Sequence, residues 1–397
     1  MKFSLHVQTR IGDWGFVKEL EDLGYDACWF PDTQMMWSDC YATMAAAALN
    51  TSRIRLGTGV AIPGTRIAPT TAHSIASINA LAPGRVFLGI GTGHTAMRVM
   101  GQDPMPIKEF REYLRVVRAM LNNEEVDYEY RGNSTAIKWQ EHGDGFRNTD
   151  TPIPIYVAGN GPLALKSAGR YGDGLISIFN EQKDVLEFNL GKVREGAAAA
   201  GRVLNDFHTT TLTTAVVLRP GEKLTDERVV ERAGSWVAVA IHFVYEVWRY
   251  TKDDAVVPDY MKNIWEEYID HIGNLDTPEE KVHQVLHEGH CSYCPAGERK
   301  FVTPEMIEGA CMVGGPSELA EQIRSAEKLG LNEVSLLPPL AHIREVAKDF
   351  AEQVIRKRDV NDALFKSCPN VIEKPVVILA RYFRYGTTFT SRLASTD

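Results

Sequence analysis

Short apolar runs alternate with longer segments of helical spacing along the first half of the chain. The runs are too short for helices and rich in Val, Ile and Phe, which is typical of buried strands. The segments between them carry apolar residues three and four positions apart, which predicts amphipathic helices. The predicted strands lie at 2–8, 26–32, 53–60, 85–94, 154–158 and 174–178, and the predicted helices at 13–23, 41–49, 70–81, 109–122 and 161–171.

This alternation predicts βαβ units with right-handed crossovers. An open doubly wound sheet and a closed barrel both begin in this way. The repeat continues, however, with predicted strands at 209–218 and 332–338, the second of which follows a predicted helix at 316–329. The length of the chain allows one large α/β barrel or two ordinary domains. Because the repeat continues, we predict the α/β class and a TIM (β/α)8 barrel.

Two segments depart from the plain repeat. Residues 226–272 look helical and carry Trp236, Trp248 and Trp265. We expect a barrel over 1–355 with a helical and loop insertion at about 220–300, followed by a C-terminal helix and tail over 356–397. Additions of this kind enlarge a barrel and often cover its mouth or form a subunit contact.

Composition excludes several function classes. The 397 residues carry a formal net charge of -9 with a pI near 5.7 and no Lys/Arg block, which argues against a nucleic-acid partner. The sequence lacks the long apolar run that a membrane span needs, and it starts in a predicted strand instead of a signal peptide. The six cysteines then fit reduced thiols, so we expect a cytoplasmic protein with no membrane contact.

The fourth predicted strand, Arg85–His94, ends in alternate glycines. Glycines leave bare backbone at the carboxyl end of a parallel strand, which is where α/β proteins bind ligands. We predict that Gly91, Thr92 and Gly93 contact a cofactor and that His94 lies at the mouth of its pocket.

Four motifs resemble those of a known superfamily. In order and spacing they resemble the bacterial-luciferase-like flavin and deazaflavin enzymes, and within them the branch that depends on coenzyme F420 and includes methylenetetrahydromethanopterin reductase. The resemblance covers residues 1 to about 180, is weak from 220 to 300, and returns around Gly314–Leu337. The motifs are Asp32, Asn50–Val60, Gly84–Gly91 and Gly161–Gly174.

The resemblance implies two cofactor contacts. It implies a non-prolyl cis peptide bond between Gly59 and Val60, directly after Thr58, against the back of the tricyclic ring. It also implies that the cofactor phosphate binds at Gly159–Pro162. The residues alone leave an ordinary glycine turn open at the first place. At the second, Gly159, Asn160, Gly161 and Pro162 precede a helix whose first N–H groups can bind an anion.

Two side chains are candidates for catalysis. His94 stands where F420-dependent relatives often carry an acid, and a neutral imidazole can exchange a proton near pH 7. The alternative for His94 is a partly buried histidine at the start of a helix. Asp32, at the end of the second strand, can hydrogen-bond the ring or substrate, and its alternative is a turn or N-cap residue. We also expect His6 to point into the barrel.

His287, His290, Cys291 and Cys294 resemble a metal-binding set at first sight. Their spacing is tighter than that of zinc sites, in which a loop separates two ligand pairs. We therefore predict no metal, and expect a loop near the barrel mouth whose histidines meet the substrate.

Three functional hypotheses follow. The preferred one is an oxidoreductase that transfers a hydride between F420 and a small organic substrate, with the enzyme as a homodimer, as is common in the superfamily. The second is an FMN-dependent monooxygenase that uses O2 and reduced flavin from a partner reductase. The third, from another class, is a non-catalytic flavin-binding protein, which loss of groups such as His94 would favour. A metal-dependent hydrolase is disfavoured because no predicted strand end carries a His-x-His pair.

Overall fold

Eight parallel strands close into a barrel in the computed structural model, which describes residues 1–357 except 142 and 180. The strands are β1 (Lys2–His6), β2 (Ala27–Phe30), β3 (Arg55–Thr58), β4 (Val86–Ile90), β5 (Val126–Tyr130), β6 (Asn133–Ile137), β7 (Ile155–Ala158), β8 (Gly174–Ile178), β9 (His208–Thr213), β10 (Ala215–Val217), β11 (Met312–Gly314) and β12 (Glu333–Leu336). Around the barrel the order is β1, β2, β3, β4, β7, β8, β9 and β12. The predicted TIM barrel is confirmed.

Helices surround the barrel, and some of them form a further layer over the carboxyl ends of its strands. They are α1 (Gly15–Leu23), α2 (Cys40–Asn50), α3 (Ala68–Leu81), α4 (His94–Arg98), α5 (Ile107–Leu121), α6 (Pro162–Tyr171), α7 (Lys183–Ala199), α8 (Glu227–Thr251), α9 (Lys262–Gly273), α10 (Val282–Leu286), α11 (Pro304–Ala310), α12 (Pro316–Lys328) and α13 (Ile343–Phe350). The C-cap Gly24 has a φ of 99°, so it ends α1 as the sequence predicts. Within the described residues no helix has the length and apolar character that a membrane crossing requires.

The predicted strand at 209–218 is wrong, because the chain forms two strands there. Thr213 accepts a backbone hydrogen bond from Leu337, whereas Thr214 accepts one from Met312, at 2.8 and 2.9 Å. The partner therefore changes within one residue, from β12 inside the barrel to β11 outside it. Thr and Val favour strands throughout this segment, so the sequence shows no break.

Helices α8–α11 lie between β10 and β11, and we call them the insertion. They bury their own apolar cluster, which includes Trp236, Trp265 and Tyr268 and extends to Ile178 and Leu212 of the barrel strands. The insertion therefore packs on the carboxyl ends of the strands. We keep 1–355 as the proposed barrel domain with its insertion, and the predicted C-terminal helix and tail lie outside the described residues from 358 onward.

The lower interior of the barrel holds a buried carboxylate. Glu333 accepts hydrogen bonds from Ser4 Oγ at 2.5 Å and Trp29 Nε1 at 2.9 Å, and His208 Nε2 lies 2.8 Å away. Burial alone raises the pKa of Glu333, but the bonds from His208, Ser4 and Trp29 outweigh burial and lower this pKa to about 2. The carboxylate therefore stays charged and fixes Trp29 beneath the upper half of the barrel.

Candidate active site

The mouth of the barrel, formed by the carboxyl ends of its strands, has an apolar floor. Trp29, Phe87, Tyr156 and Ile176 fill the interior below it and are buried. Above them, Val60, Ala158 and Leu212 pack on this cluster but are only partly buried. The floor is therefore covered from below and accessible from above, as a flat apolar ring system requires.

Glycine at position 91 leaves space free between the side chains of the floor. A Cβ at Gly91 would lie 3.1 Å from both Ala158 Cβ and Val60 Cγ2. Gly93 has a φ of 91°, and a Cβ there would lie 2.7 Å from Ile62. Thr92, between them, is partly buried and accepts a backbone hydrogen bond from Met105 at 3.0 Å. The predicted Gly-x-Gly segment thus lies at the mouth, where glycine leaves room.

The Gly59–Val60 peptide bond is cis, as the resemblance implies. His6 lies against Gly59, because a Cβ at Gly59 would stand 2.8 Å from the imidazole. The ring of His6 stacks on Trp29 at 5.2 Å, and its Nδ1 lies 2.8 Å from Ser335 Oγ. Burial lowers the pKa of His6 to about 3, against the opposing charge of Glu333, so the ring is neutral near pH 7. The expectation that His6 points into the barrel is confirmed.

Thr58 lies inside the barrel wall. Its side chain is fully buried, and its hydroxyl donates a 2.6 Å hydrogen bond to the carbonyl of Gly89. The bond joins β3 to β4 directly below the cis peptide bond. Thr58 therefore supports the floor from beneath, and a direct contact with a cofactor stays a prediction.

Gly159–Pro162 forms the turn between β7 and α6. Asn160 Oδ1 accepts hydrogen bonds from Ser177 Oγ at 2.5 Å and from the backbone N–H of Ile178 at 3.1 Å. These bonds fix the turn to the end of β8. Gly161 is exposed, and nothing lies within 4 Å of the position of a Cβ there. The first N–H groups of α6 have no acceptor within the helix, so the turn suits a phosphate.

Asp32 is held in an ion pair instead of facing the floor. Arg66 Nη1 lies 2.9 and 2.8 Å from its two carboxylate oxygens, and the N–H of Ile62 lies 3.4 Å from Oδ2. Both partners belong to the segment that follows β3. The carboxylate of Asp32 therefore fixes the segment after β3, and a catalytic role of Asp32 stays a prediction.

His94 begins α4 and faces a carboxylate from the insertion. Its Nε2 lies 3.4 Å from Oε2 of Glu246 on α8, and its ring packs 6.0 Å from that of Phe243. The side chain is 41% exposed. Desolvation lowers the pKa of His94 below its usual 6.5, opposed by Glu246 and assisted by Arg98 and His287. His94 is therefore neutral near pH 7 and able to accept a proton.

Glu246 is the functional candidate that the sequence analysis missed. Its other oxygen, Oε1, lies 3.1 Å from His287 Nε2, and both side chains are buried. Burial raises the pKa of Glu246, but the hydrogen bond from His287 and the proximity of His94 outweigh burial and lower it. A single glutamate in a long helix carries no signal in one sequence, since most such residues face solvent.

The loop after α10 brings its histidines to the mouth. His290 Nε2 lies 3.2 Å from Thr95 Oγ1, next to His94, and the rings of His287 and His290 are 5.4 Å apart. Burial lowers the pKa of His290 well below 6.5. Within the described residues, no three His, Cys, Asp or Glu side chains are arranged to hold a metal ion. Contact of these histidines with a substrate stays a prediction.

Gln8, two residues after the end of β1, is a second residue that the sequence analysis missed. Its Nε2 donates to the carbonyls of Cys291 at 2.7 Å and Pro338 at 2.9 Å, which fixes the histidine-bearing loop to the barrel. Its Oε1 is buried and has no hydrogen-bond partner among the described residues. Gln8 thus leaves one acceptor open beside this loop.

The structure brings the predicted residues together in three groups. Gly59, Val60 and Gly91 meet at the floor; His94 joins the insertion at Glu246; and the turn at Gly159–Pro162 lies against β8. Asp32 belongs to none of these groups. The mouth therefore combines an apolar floor, a neutral proton acceptor and a turn that suits an anion.

Known proteins resemble this chain over most of its length. The family model of luciferase-like monooxygenases matches residues 14–333. A 5,10-methylenetetrahydromethanopterin reductase of Archaeoglobus fulgidus is 27% identical over 327 residues, which cover 82% of this chain and 89% of the relative. An F420-dependent glucose-6-phosphate dehydrogenase of Kineococcus radiotolerans is 34% identical over 212 residues, but this match covers only 49% of this chain and 60% of the relative.

Among solved structures, the coenzyme F420-dependent tetrahydromethanopterin reductase of Methanopyrus kandleri has the same fold. It superposes with a TM-score of 0.68 at 21% sequence identity, and the alignment covers 90% of this chain and 99% of that one. At this level of identity the likeness concerns the fold.

Proposed function

Because the chain belongs to the family of luciferase-like monooxygenases, we propose that it is an oxidoreductase that transfers a hydride between coenzyme F420 and a small organic substrate. Family membership confirms the resemblance that the motifs predict. It also makes the chain an enzyme, in place of the non-catalytic flavin-binding protein of the third hypothesis.

The observation that carries the proposal is the position of His94. It lies at the mouth as the first residue of α4, three residues after Gly91 of the floor, and it is neutral at physiological pH. Hydride transfer to or from a carbon next to oxygen or nitrogen also moves a proton, so a positioned neutral imidazole suits this reaction. The name of the Kineococcus dehydrogenase supports F420 as the cofactor.

The chain offers matching contacts for such a cofactor. Val60 and Ala158 would lie beneath its ring, and the turn at Gly159–Pro162 with the first N–H groups of α6 would hold its phosphate. When bound, F420 would supply the hydride chemistry at its deazaflavin ring. The insertion would cover the substrate from the other side and exclude water, because its apolar cluster reaches Ile178 and Leu212 at the mouth.

The FMN-dependent monooxygenase remains the second candidate, since the matching family model is named for monooxygenases. Such an enzyme would need O2 and a flavin reductase as partner. Titration of the purified protein with F420 and, separately, with reduced FMN under anaerobic conditions distinguishes the two, with fluorescence and absorbance as readouts. We expect binding of F420 and a turnover that does not depend on O2. Tight binding of FMN without binding of F420 would reverse the order of the candidates.

A matched variant ties the binding signal to the mouth. In Gly91→Val a branched side chain would occupy the space between Val60 and Ala158, so we expect it to abolish binding of the true cofactor. The Gly191→Val variant, at a position with nothing within 4 Å of a Cβ, should retain binding.

We also propose a homodimer, which light scattering would report as twice the 44.2 kDa of one chain.

A further inference from the structure

The insertion contributes a charged residue to the mouth of the barrel. Glu246 is buried, and its two carboxylate oxygens face different histidines: Oε2 lies 3.4 Å from His94 Nε2, and Oε1 lies 3.1 Å from His287 Nε2. A buried carboxylate is stable only where partners compensate for its lost hydration. Here both partners are imidazoles, and one of them belongs to the proposed active site.

We propose that Glu246 is a positioning residue for His94, held in place by His287, so that the insertion supplies the carboxylate of a His–Glu–His triad to the barrel. This inference deepens the proposed function and rests on it for the substrate's role. His94 remains the group that touches the substrate. Glu246 acts through it, by fixing the tautomer and stabilising the protonated ring.

The geometry assigns a role to each ring nitrogen. Because Glu246 faces Nε2, we expect the neutral His94 ring to carry its proton on Nε2, which would leave Nδ1 as the acceptor. When a substrate C–H gives up its hydride, which carries both electrons of that bond, to the proposed cofactor, the adjacent O–H or N–H bond also breaks. Its proton moves to Nδ1, and its electron pair forms the new C=O or C=N double bond. The imidazolium that forms then faces the carboxylate. The reverse reaction returns the same proton from Nδ1.

The surrounding charges agree with this role. Four further titratable groups among the described residues interact with His94 or Glu246. They are Arg98 on α4, Tyr268 on α9, and His287 and His290 in the loop after α10. Arg98 disfavours protonation of His94 and favours ionisation of Glu246, as does His287. Glu246 is thus the group in this set that favours the imidazolium form of His94.

The test measures His94 itself and needs neither cofactor nor substrate. In protein labelled with 15N-histidine, long-range proton–nitrogen spectra report the tautomer and pKa of each ring, and the His94→Gln variant identifies the His94 signal. We expect the Nε2–H tautomer of His94 in the wild type. In Glu246→Gln, the loss of the negative charge should lower the pKa of His94 further, by about one unit.

Two variants serve as controls. Glu246→Asp keeps the charge and should return the pKa of His94 most of the way to the wild-type value. Glu231→Gln, at an exposed position of the same helix, should leave it unchanged. An Nδ1–H tautomer in the wild type overturns the proposal, as does an unchanged pKa in folded Glu246→Gln. If that variant does not fold, the tautomer of His94 in the wild type still decides.

The outcome is separable from that of the proposed function. A shifted pKa of His94 without binding of F420 would keep the triad and reject the F420 hypothesis. Binding of F420 with an unshifted pKa would keep the cofactor and reject the triad.

Discussion

Arg66 Nη1 contacts both carboxylate oxygens of Asp32, at 2.9 and 2.8 Å, and thereby connects the end of β2 to the segment after β3. The second terminal nitrogen of Arg66 lies 2.7 Å from Asp39 Oδ2, and the guanidinium packs 4.7 Å from the ring centre of Tyr41. The segment that Arg66 fixes begins at the cis Gly59–Val60 bond. The contacts of Asp32 therefore support a structural role better than the predicted catalytic one.

Replacement of Asp32 by Asn should lower the free energy of unfolding by about 2–3 kcal/mol, because it removes the charge that compensates a partly buried guanidinium. Breaking a fully buried ion pair usually costs about 3–5 kcal/mol. We expect a smaller loss here, since Arg66 retains some solvent contact and its bond to Asp39. Urea denaturation followed by circular dichroism measures the change.

The control is Asp39→Asn, which removes the other partner of Arg66. Its side chain is 50% exposed, against 6% for Asp32, so the loss should stay below about 1 kcal/mol. Unchanged stability in Asp32→Asn together with a complete loss of turnover would restore the catalytic role.

Replacement of His94 by Ala should reduce kcat by about 10²- to 10⁴-fold, which is the usual contribution of a positioned proton acceptor. Because His94 lies beside the floor and not in the Gly159–Pro162 turn, the dissociation constant for the cofactor should change less than about threefold. Steady-state kinetics with the substrate found for the wild type, together with cofactor titration, separates the two effects.

His73→Gln is the control, since His73 is an exposed histidine on α3 and should affect neither quantity. If His94→Ala kept the wild-type kcat, the proton-transfer role would be rejected.

Replacement of Gly161 by Ala should weaken cofactor binding at least tenfold without loss of stability. Nothing in the chain lies within 4 Å of the added methyl group, and the φ of -89° suits alanine, so the fold has no reason to change. A phosphate at the start of α6 would, however, meet this methyl group. Cofactor titration and thermal unfolding of the same samples measure the two effects.

Gly191→Ala, in the middle of α7, is the matched control. It also has open space, and alanine favours a helix, so it should raise stability by up to about 1 kcal/mol and leave cofactor binding unchanged. Normal binding by Gly161→Ala would move the predicted phosphate site away from this turn.

The barrel could be predicted because its strands are largely buried and because glycines stand within or directly after β3, β4 and β7. Gly89 illustrates the signal: a Cβ there would lie 2.2 Å from the carbonyl oxygen of Thr58, so only glycine fits. Glycines can also hide a helical pattern, and helix α7 was not predicted from the sequence. Gly196 interrupts its pattern, although it serves packing: a Cβ there would lie 2.0 Å from the carbonyl oxygen of Lys166 on α6.

The floor and the His94 loop of the candidate site could be predicted, because each is a local motif at the end of a strand. The partners of these residues could not. Asp32 and Arg66, or His94 and Glu246, are distant in the sequence, and only tertiary structure brings them together. Whether a carboxylate is catalytic or forms an ion pair with an arginine depends on such contacts, and a single sequence does not show them.

His6 should make stability fall as the pH drops below about 6.5. Its pKa is lowered from 6.5 to about 3 by burial, so the unfolded chain binds a proton in this interval that the folded chain does not. The free energy of unfolding therefore loses about 1.4 kcal/mol per pH unit through this group as the pH falls from 6.5 towards 3. Glu333, with its pKa near 2, adds a further loss only below about pH 4.5.

The His6→Asn variant tests this between pH 6.5 and 4.5, where Glu333 contributes little. Asparagine keeps a polar group near Ser335 Oγ but cannot titrate, so urea unfolding should show a pH slope about 1.4 kcal/mol per unit shallower than in the wild type. At pH 8 the variant should be less stable, because it loses the ring that stacks on Trp29 at 5.2 Å. The stability difference should therefore shrink as the pH falls, whereas a constant difference would show that His6 is protonated equally in the folded and unfolded chains.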